Sequence, residues 1–158
     1  MIFVTVGTQL PFDRMISVVD AWAGRSGEEV FAQIGPSQQD FPNLETADFL
    51  PPGELAKRIE ESSCIVAHAG MGTILSALEV RKPLLVMPRR AELGEHRNDH
   101  QIATARKLSE RGLVQVAWTD EEMLARLDGL AEIQGVASPR SEASPELLAA
   151  LRGFISTR

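Results

Sequence analysis

The chain has 158 residues, 44% hydrophobic and 24% charged, the ordinary balance of one globular domain with its own core. Its 22 acidic residues against 16 basic ones leave a formal charge of −6, which argues against a general nucleic-acid binder. A single cysteine rules out a disulfide framework, no basic leader with an apolar core opens the chain, and no apolar run approaches the ~20 residues of a membrane span, so a cytoplasmic protein is expected.

Residues 1–6 read as a first strand, followed by the loop Gly7-Thr8-Gln9-Leu10-Pro11. Asp13 is placed to cap a helix with the apolar face Met15, Val18, Val19 and Trp22, and residues 24–27 break it. Residues 29–34 form a second strand. Residues 47–50 form a short third one, closed by Pro51-Pro52, with Phe49 and Leu50 in the core. A helix over residues 54–62 packs Leu55 and Ile59. The fourth strand, residues 64–67, holds the lone Cys64 as a core thiol. A glycine turn and another helix follow, ended by Lys82-Pro83, and then a fifth strand over residues 84–87. Residues 89–98 are a polar loop, and residues 102–111 are helical with Gly112 as the stop. Residues 114–117 make a sixth strand, and Thr119-x-x-Glu122 is a capping box for one more helix. Residues 135–144 are a polar linker, and Ser144-Pro145 opens a last helix. Such alternation predicts an α/β, doubly wound (Rossmann-like) parallel sheet in the order 3-2-1-4-5-6. Ligands of such sheets bind beyond strands 1 and 4, where the winding reverses. The two glycine loops, Gly7-Thr8 and Gly70-x-Gly72, both fall there.

The chemistry concentrates in residues 64–101. A strand, the turn His68-Ala69-Gly70-Met71-Gly72-Thr73 and a helix start follow one another. That order aims backbone N–H groups and a positive dipole end at an anion, usually a phosphate. Glu79 lies roughly 9 Å further along the helix axis, within reach of the ribose of a bound nucleotide. Asp99, His100 and Gln101 begin the next helix, and an acid beside an amide suits a ring of sugar hydroxyls.

The ordered set is more specific than the turn alone: His68-Ala69-Gly70-x-Gly72-Thr73, an acid in the helix, Lys82-Pro83 before a strand, and Gly94-Glu95-His96-x-Asn98-Asp99-His100-Gln101. It resembles the C-terminal domain of family 28 glycosyltransferases, over about residues 1–116, and most of all its stand-alone versions in lipid-linked glycan and exopolysaccharide assembly. The resemblance implies one domain over residues 1–158, equivalent to the C-terminal half of a GT-B enzyme. It implies a UDP-sugar as donor substrate, with no cofactor and no metal. Gly7, Thr8, Gly70, Met71, Gly72 and Thr73 would hold the diphosphate and Glu79 the ribose. The backbone at Phe49 and Leu50 would read uracil. His68, Asp99, His100 and Gln101 would serve the sugar and its transfer. An inverting transfer to a lipid-linked acceptor is expected, with a membrane-anchored, acceptor-binding partner that brings the chain to the cytoplasmic face. Leu147, Leu148, Leu151 and Phe154 form an apolar stripe on the last helix, either a docking face for that partner or a face packed on this domain.

Two other readings stand beside this one. One is a nucleotide-sugar-binding module without catalysis. The other is a zinc hydrolase using His96 and His100, whose i, i+4 spacing suits a ligand pair on one helix face. Arg97 stands where such a motif has its glutamate, and Gly94 works against a continuous helix there.

Overall fold

The structure, a computed structural model, describes residues 1–130. The linker and helix expected over residues 135–158 lie outside the described residues. Six strands, β1 (Ile2–Thr5), β2 (Val30–Gln33), β3 (Glu45–Ala47), β4 (Cys64–His68), β5 (Leu84–Met87) and β6 (Gln115–Val116), form one sheet. It is parallel throughout, in the order β3-β2-β1-β4-β5-β6, which is the doubly wound order expected. Five α-helices are described: α1 (Asp13–Ser26), α2 (Pro52–Glu61), α3 (Met71–Glu79), α4 (His100–Glu110) and α5 (Asp120–Asp128).

Buried parallel strands carry apolar residues on both faces. Along β1, Ile2 and Val4 join one core, with Met15, Val19 and Trp22 of α1 and Met123 and Leu127 of α5. Phe3 points the other way, into a core with Ile59 of α2, Ile74 and Leu78 of α3, and Leu108 of α4. The same alternation splits Cys64 and Val66 from Ile65 and Ala67, and Leu85 and Met87 from Leu84 and Val86. The product is a three-layer sandwich whose central strands bring their carboxyl ends together at one edge.

Several local expectations are corrected. Asp13 does not cap α1; Phe12 is the cap residue, and Asp13 Oδ1 accepts from the Ser37 hydroxyl at 2.6 Å. Gly24 does not break the helix, which runs on to Ser26 and stops at Gly27 in the left-handed region, φ 77°. Gly24 is a close-packing residue, since a Cβ there would come within 2.9 Å of the Asn43 side chain. The third strand lies earlier than the apolar pair Phe49-Leu50 suggested. Leu50 turns into the core, whereas Phe49 is 65% exposed, because the edge strand has already ended. The capping box is present with a shift: Thr119 Oγ1 accepts from Glu122 N–H at 3.1 Å, and Glu122 reaches back to Trp118 N–H at 2.7 Å. Among the described residues no helix is long and apolar enough to cross a membrane.

Candidate active site

The loops leaving β1 and β4 face each other across the switch point of the sheet. Between them lies a cavity of about 470 Å³, lined by Gly7 and Thr8 on one side and His68, Gly70, Gly72 and Thr73 on the other. Leu55 and Ile59 of α2 form an apolar wall. Thr5, Gln9, Gln33, Ser76, Arg89, His96 and Gln101 add further polar lining. No aspartate or glutamate is among the described lining residues. A cavity with cationic and neutral donors and no carboxylate suits an anion.

Gly7 and Gly70 are demanded by His68. Gly7 sits at φ 76°, and a Cβ on it would approach His68 Nε2 to 3.0 Å. A Cβ on Gly70 would overlap the same imidazole. The ring therefore fills the space that two missing side chains leave. Gly70 also caps α3 without any side-chain bond, and no acidic residue stands in the first turn. The first N–H groups of α3 have neither an intrahelical partner nor a side-chain cap, which is the usual geometry of an anion site.

His68 donates or accepts at both nitrogens: Nε2 lies 3.4 Å from Thr73 Oγ1 and Nδ1 lies 3.2 Å from Gln101 Nε2. Burial, then the Arg89 charge and His96, push its pKa down to about 3 from the ordinary 6.5. At neutral pH it is an uncharged imidazole, a hydrogen-bonding group rather than a strong base.

Arg89, only 2% exposed, binds the loop after β1 from below. Its guanidinium donates to the carbonyls of Val6 (2.7 Å), Leu10 (2.9 Å) and Pro11 (2.7 Å), and to that of Glu95 at 3.3 Å. Burial pushes its pKa down to about 10, opposed by the nearby Glu95, so it stays charged at neutral pH. Gln33 ties the same loop to the next one: its Nε2 donates to Gly7 O at 2.9 Å and its Oε1 accepts from Leu50 N–H at 3.2 Å. Thr5 Oγ1 accepts from Gly7 N–H at 3.2 Å. Thr5, Gln33, Ser76 and Arg89 were not among the sequence candidates. For Thr5, Gln33 and Arg89 the available signal was a polar side chain at or just past the carboxyl end of an apolar strand, the edge where ligands bind; Ser76, inside α3, carried no such signal.

The other candidates divide. Met71 begins α3 and is buried in the core. Glu79 ends α3, is exposed, and is not among the cavity-lining residues. Ser76, one turn nearer the glycine turn, does line the cavity. Neither Phe49 nor Leu50 lines it, and the Leu50 N–H is already engaged by Gln33. Asp99 and His100 are exposed outside the cavity, and Asp99 Oδ1 accepts from Ala91 N–H at 2.9 Å. Gln101 reaches the cavity, but its amide is taken up by Ala69, Arg89 and His68. The polar loop before α4 is ordered by Glu95, which pairs with Arg14 at 2.8 Å and accepts from Arg90 N–H at 3.1 Å.

The zinc arrangement is not built. His96 lies in the loop before α4 and His100 is the first residue of the helix, so they share no helical face. Gly94, at φ 71°, is the reason, since it ends a single 3₁₀ turn (Ala91–Leu93). Among the described residues no group of three or more His, Cys, Asp or Glu could hold a metal ion.

No curated protein sequence matches the chain. Solved structures do. The calicheamicin glycosyltransferase CalG4 superposes with a TM-score of 0.66 at 16% identity, over 96% of this chain and 38% of its own. The MurG of Acinetobacter baumannii gives 0.65 at 19% identity, over 99% of this chain and 49% of its own. The chain thus spans less than half the length of either. The solution structure of ALG13 gives 0.55 at 22% identity, over 81% of this chain and 83% of its own. These likenesses show the fold, matching halves of GT-B glycosyltransferases. Residues 1–150 match the glycosyltransferase family 28 C-terminal domain, and the chain belongs to that family.

Proposed function

We propose that this chain is the donor-binding part of an inverting glycosyltransferase that uses a UDP-sugar. The observation that carries the reading is the crevice itself, where Gly7 and Gly70 close on His68 beside the uncapped start of α3. The diphosphate would lie on the N–H groups of Met71, Gly72 and Thr73. The buried charge of Arg89 behind the opposite loop would add to their pull. These groups are fixed before the ligand arrives. They would stabilise UDP most as charge grows on the leaving oxygen. A divalent cation would be unnecessary, because the charge it would neutralise already faces donors. Ser76 and Glu79 lie on successive turns of α3, and the nearer Ser76 is placed to meet the ribose. Asp99 and His100, exposed and outside the cavity lining, would serve the sugar once the donor is bound.

Inverting transfer also needs a base on the acceptor. The cavity presents no carboxylate among its described residues, and His68 is a poor base. The base and the acceptor site would therefore come from a second half. We place that half in a membrane-anchored partner acting on a lipid-linked acceptor. The support is that the match takes in only 49% of MurG and 38% of CalG4 but 83% of ALG13. Calorimetry with UDP, ADP and GDP, each with and without EDTA, tests the donor reading. UDP is expected to bind most tightly, and equally well with chelator. No binding of UDP at millimolar concentration would refute it.

A further inference from the structure

Gln101 has three polar contacts that leave its amide only one orientation. The side-chain oxygen accepts from the N–H of Ala69 at 3.2 Å and from the N–H of Arg89 at 3.1 Å. An amide carbonyl accepts twice, and an amide NH₂ only donates, so the two ends cannot be exchanged. The NH₂ end then lies 3.2 Å from His68 Nδ1 and has only protons to offer. Nδ1 must accept, and the ring proton belongs on Nε2. Nε2 faces Thr73 Oγ1 at 3.4 Å, and His68 and Thr73 both line the cavity beside Gly7 and Gly70.

We propose that Gln101 is a positioning residue that locks His68 in the Nε2–H tautomer, so that the imidazole presents a neutral, fixed hydrogen-bond donor to an anionic diphosphate oxygen. A second ring proton, on Nδ1, would set two donors face to face. Arg89 and His96, the other groups near the ring, oppose it as well. The lock also spans three elements, because Gln101 stands on α4, His68 on β4 and the Arg89 amide just past β5. The ligand half of this inference rests on the function proposed above; the tautomer does not.

The test is nitrogen-15 NMR of the His68 imidazole in the full chain, assigned with His68→Gln. Without any ligand, Nδ1 should show the signature of a bare nitrogen and Nε2 that of a protonated one, unchanged between about pH 5 and pH 8. A protonated Nδ1, or two tautomers in exchange, would overturn the proposal in the wild-type protein. Gln101→Glu replaces the donor by an acceptor, so the folded variant should move the proton to Nδ1. A wild-type pattern in that variant would also overturn it. Gln101→Met should weaken UDP roughly tenfold or more, the loss of a hydrogen bond to a charged group, and leave uridine binding unchanged. Equal losses for both ligands would remove the diphosphate from the proposal. If UDP does not bind the wild-type chain, the donor reading fails and the NMR result still decides the tautomer.

Discussion

Gly70 shows how one residue type can be dictated by its neighbour. Its φ of −85° suits any residue, so the demand is purely spatial: a methyl there would collide with the His68 ring. Gly70→Ala should push the ring aside and cost about 1–3 kcal/mol, the usual range for overpacking. UDP affinity should fall with it, and unchanged thermal stability and affinity would count against the packing described. His68 itself predicts a pH dependence. Its folded pKa is pushed down to about 3, below the ordinary 6.5, so the unfolded chain binds the extra proton. Its contribution is therefore intact above about pH 6.5 and is lost as pH falls toward about 3. Melting curves of wild type and His68→Gln at pH 7 and pH 5 should show a smaller acid loss in the variant. Cys64 was legible as a core thiol because it sits in an apolar run. Burial raises its pKa to about 12, so an aromatic disulfide reagent should leave it unmodified until the chain unfolds. The role of Gln101 was not legible. Sequence gives its polarity, but only the fold brings two backbone amides and an imidazole around it.

At the scale of elements, alternation and glycine placement made the strand order readable, because right-handed crossovers leave few arrangements for six such strands. Edges and loops were read less well. At the exposed edge of the sheet, β3 has no period to mark it, and the apolar pair Phe49-Leu50 misplaced it. Nothing in the local pattern showed that the loop before α4 is tied by Glu95 to Arg14, 81 residues away in sequence. Arg14 also donates to Asp120 at 2.9 Å, so one side chain joins α1, this loop and α5. The pair is mostly buried, with Arg14 at 18% and Glu95 at 11% exposure. Glu95→Ala should cost about 2–4 kcal/mol, near the range for breaking a buried pair, and amide exchange should quicken across residues 89–99. Arg89→Met should act on the other loop. It leaves the carbonyls of Val6, Leu10 and Pro11 without their donor, and UDP affinity should fall while uridine affinity changes little.

As a whole, the molecule has the fold of the C-terminal half of a GT-B glycosyltransferase. The sheet collects the carboxyl ends of β1 and β4 at one crevice, and the family places the chain among glycosyltransferase C-terminal domains. If the function proposed above holds, sugar transfer to a lipid-linked acceptor should appear only when an acceptor-binding partner is added. Transfer by the isolated chain at the rate of the complex would contradict the half-enzyme view. The central claim is narrower, that UDP lies between the two glycine loops. Backbone amide NMR during a UDP titration tests it most directly. The account predicts that Gly7, Thr8 and residues 70–73 shift together and saturate with one affinity, while residues at the amino ends of the strands, such as Ile2 and Val30, stay still. Saturating shifts confined to other surfaces, with residues 70–73 unmoved, would contradict it.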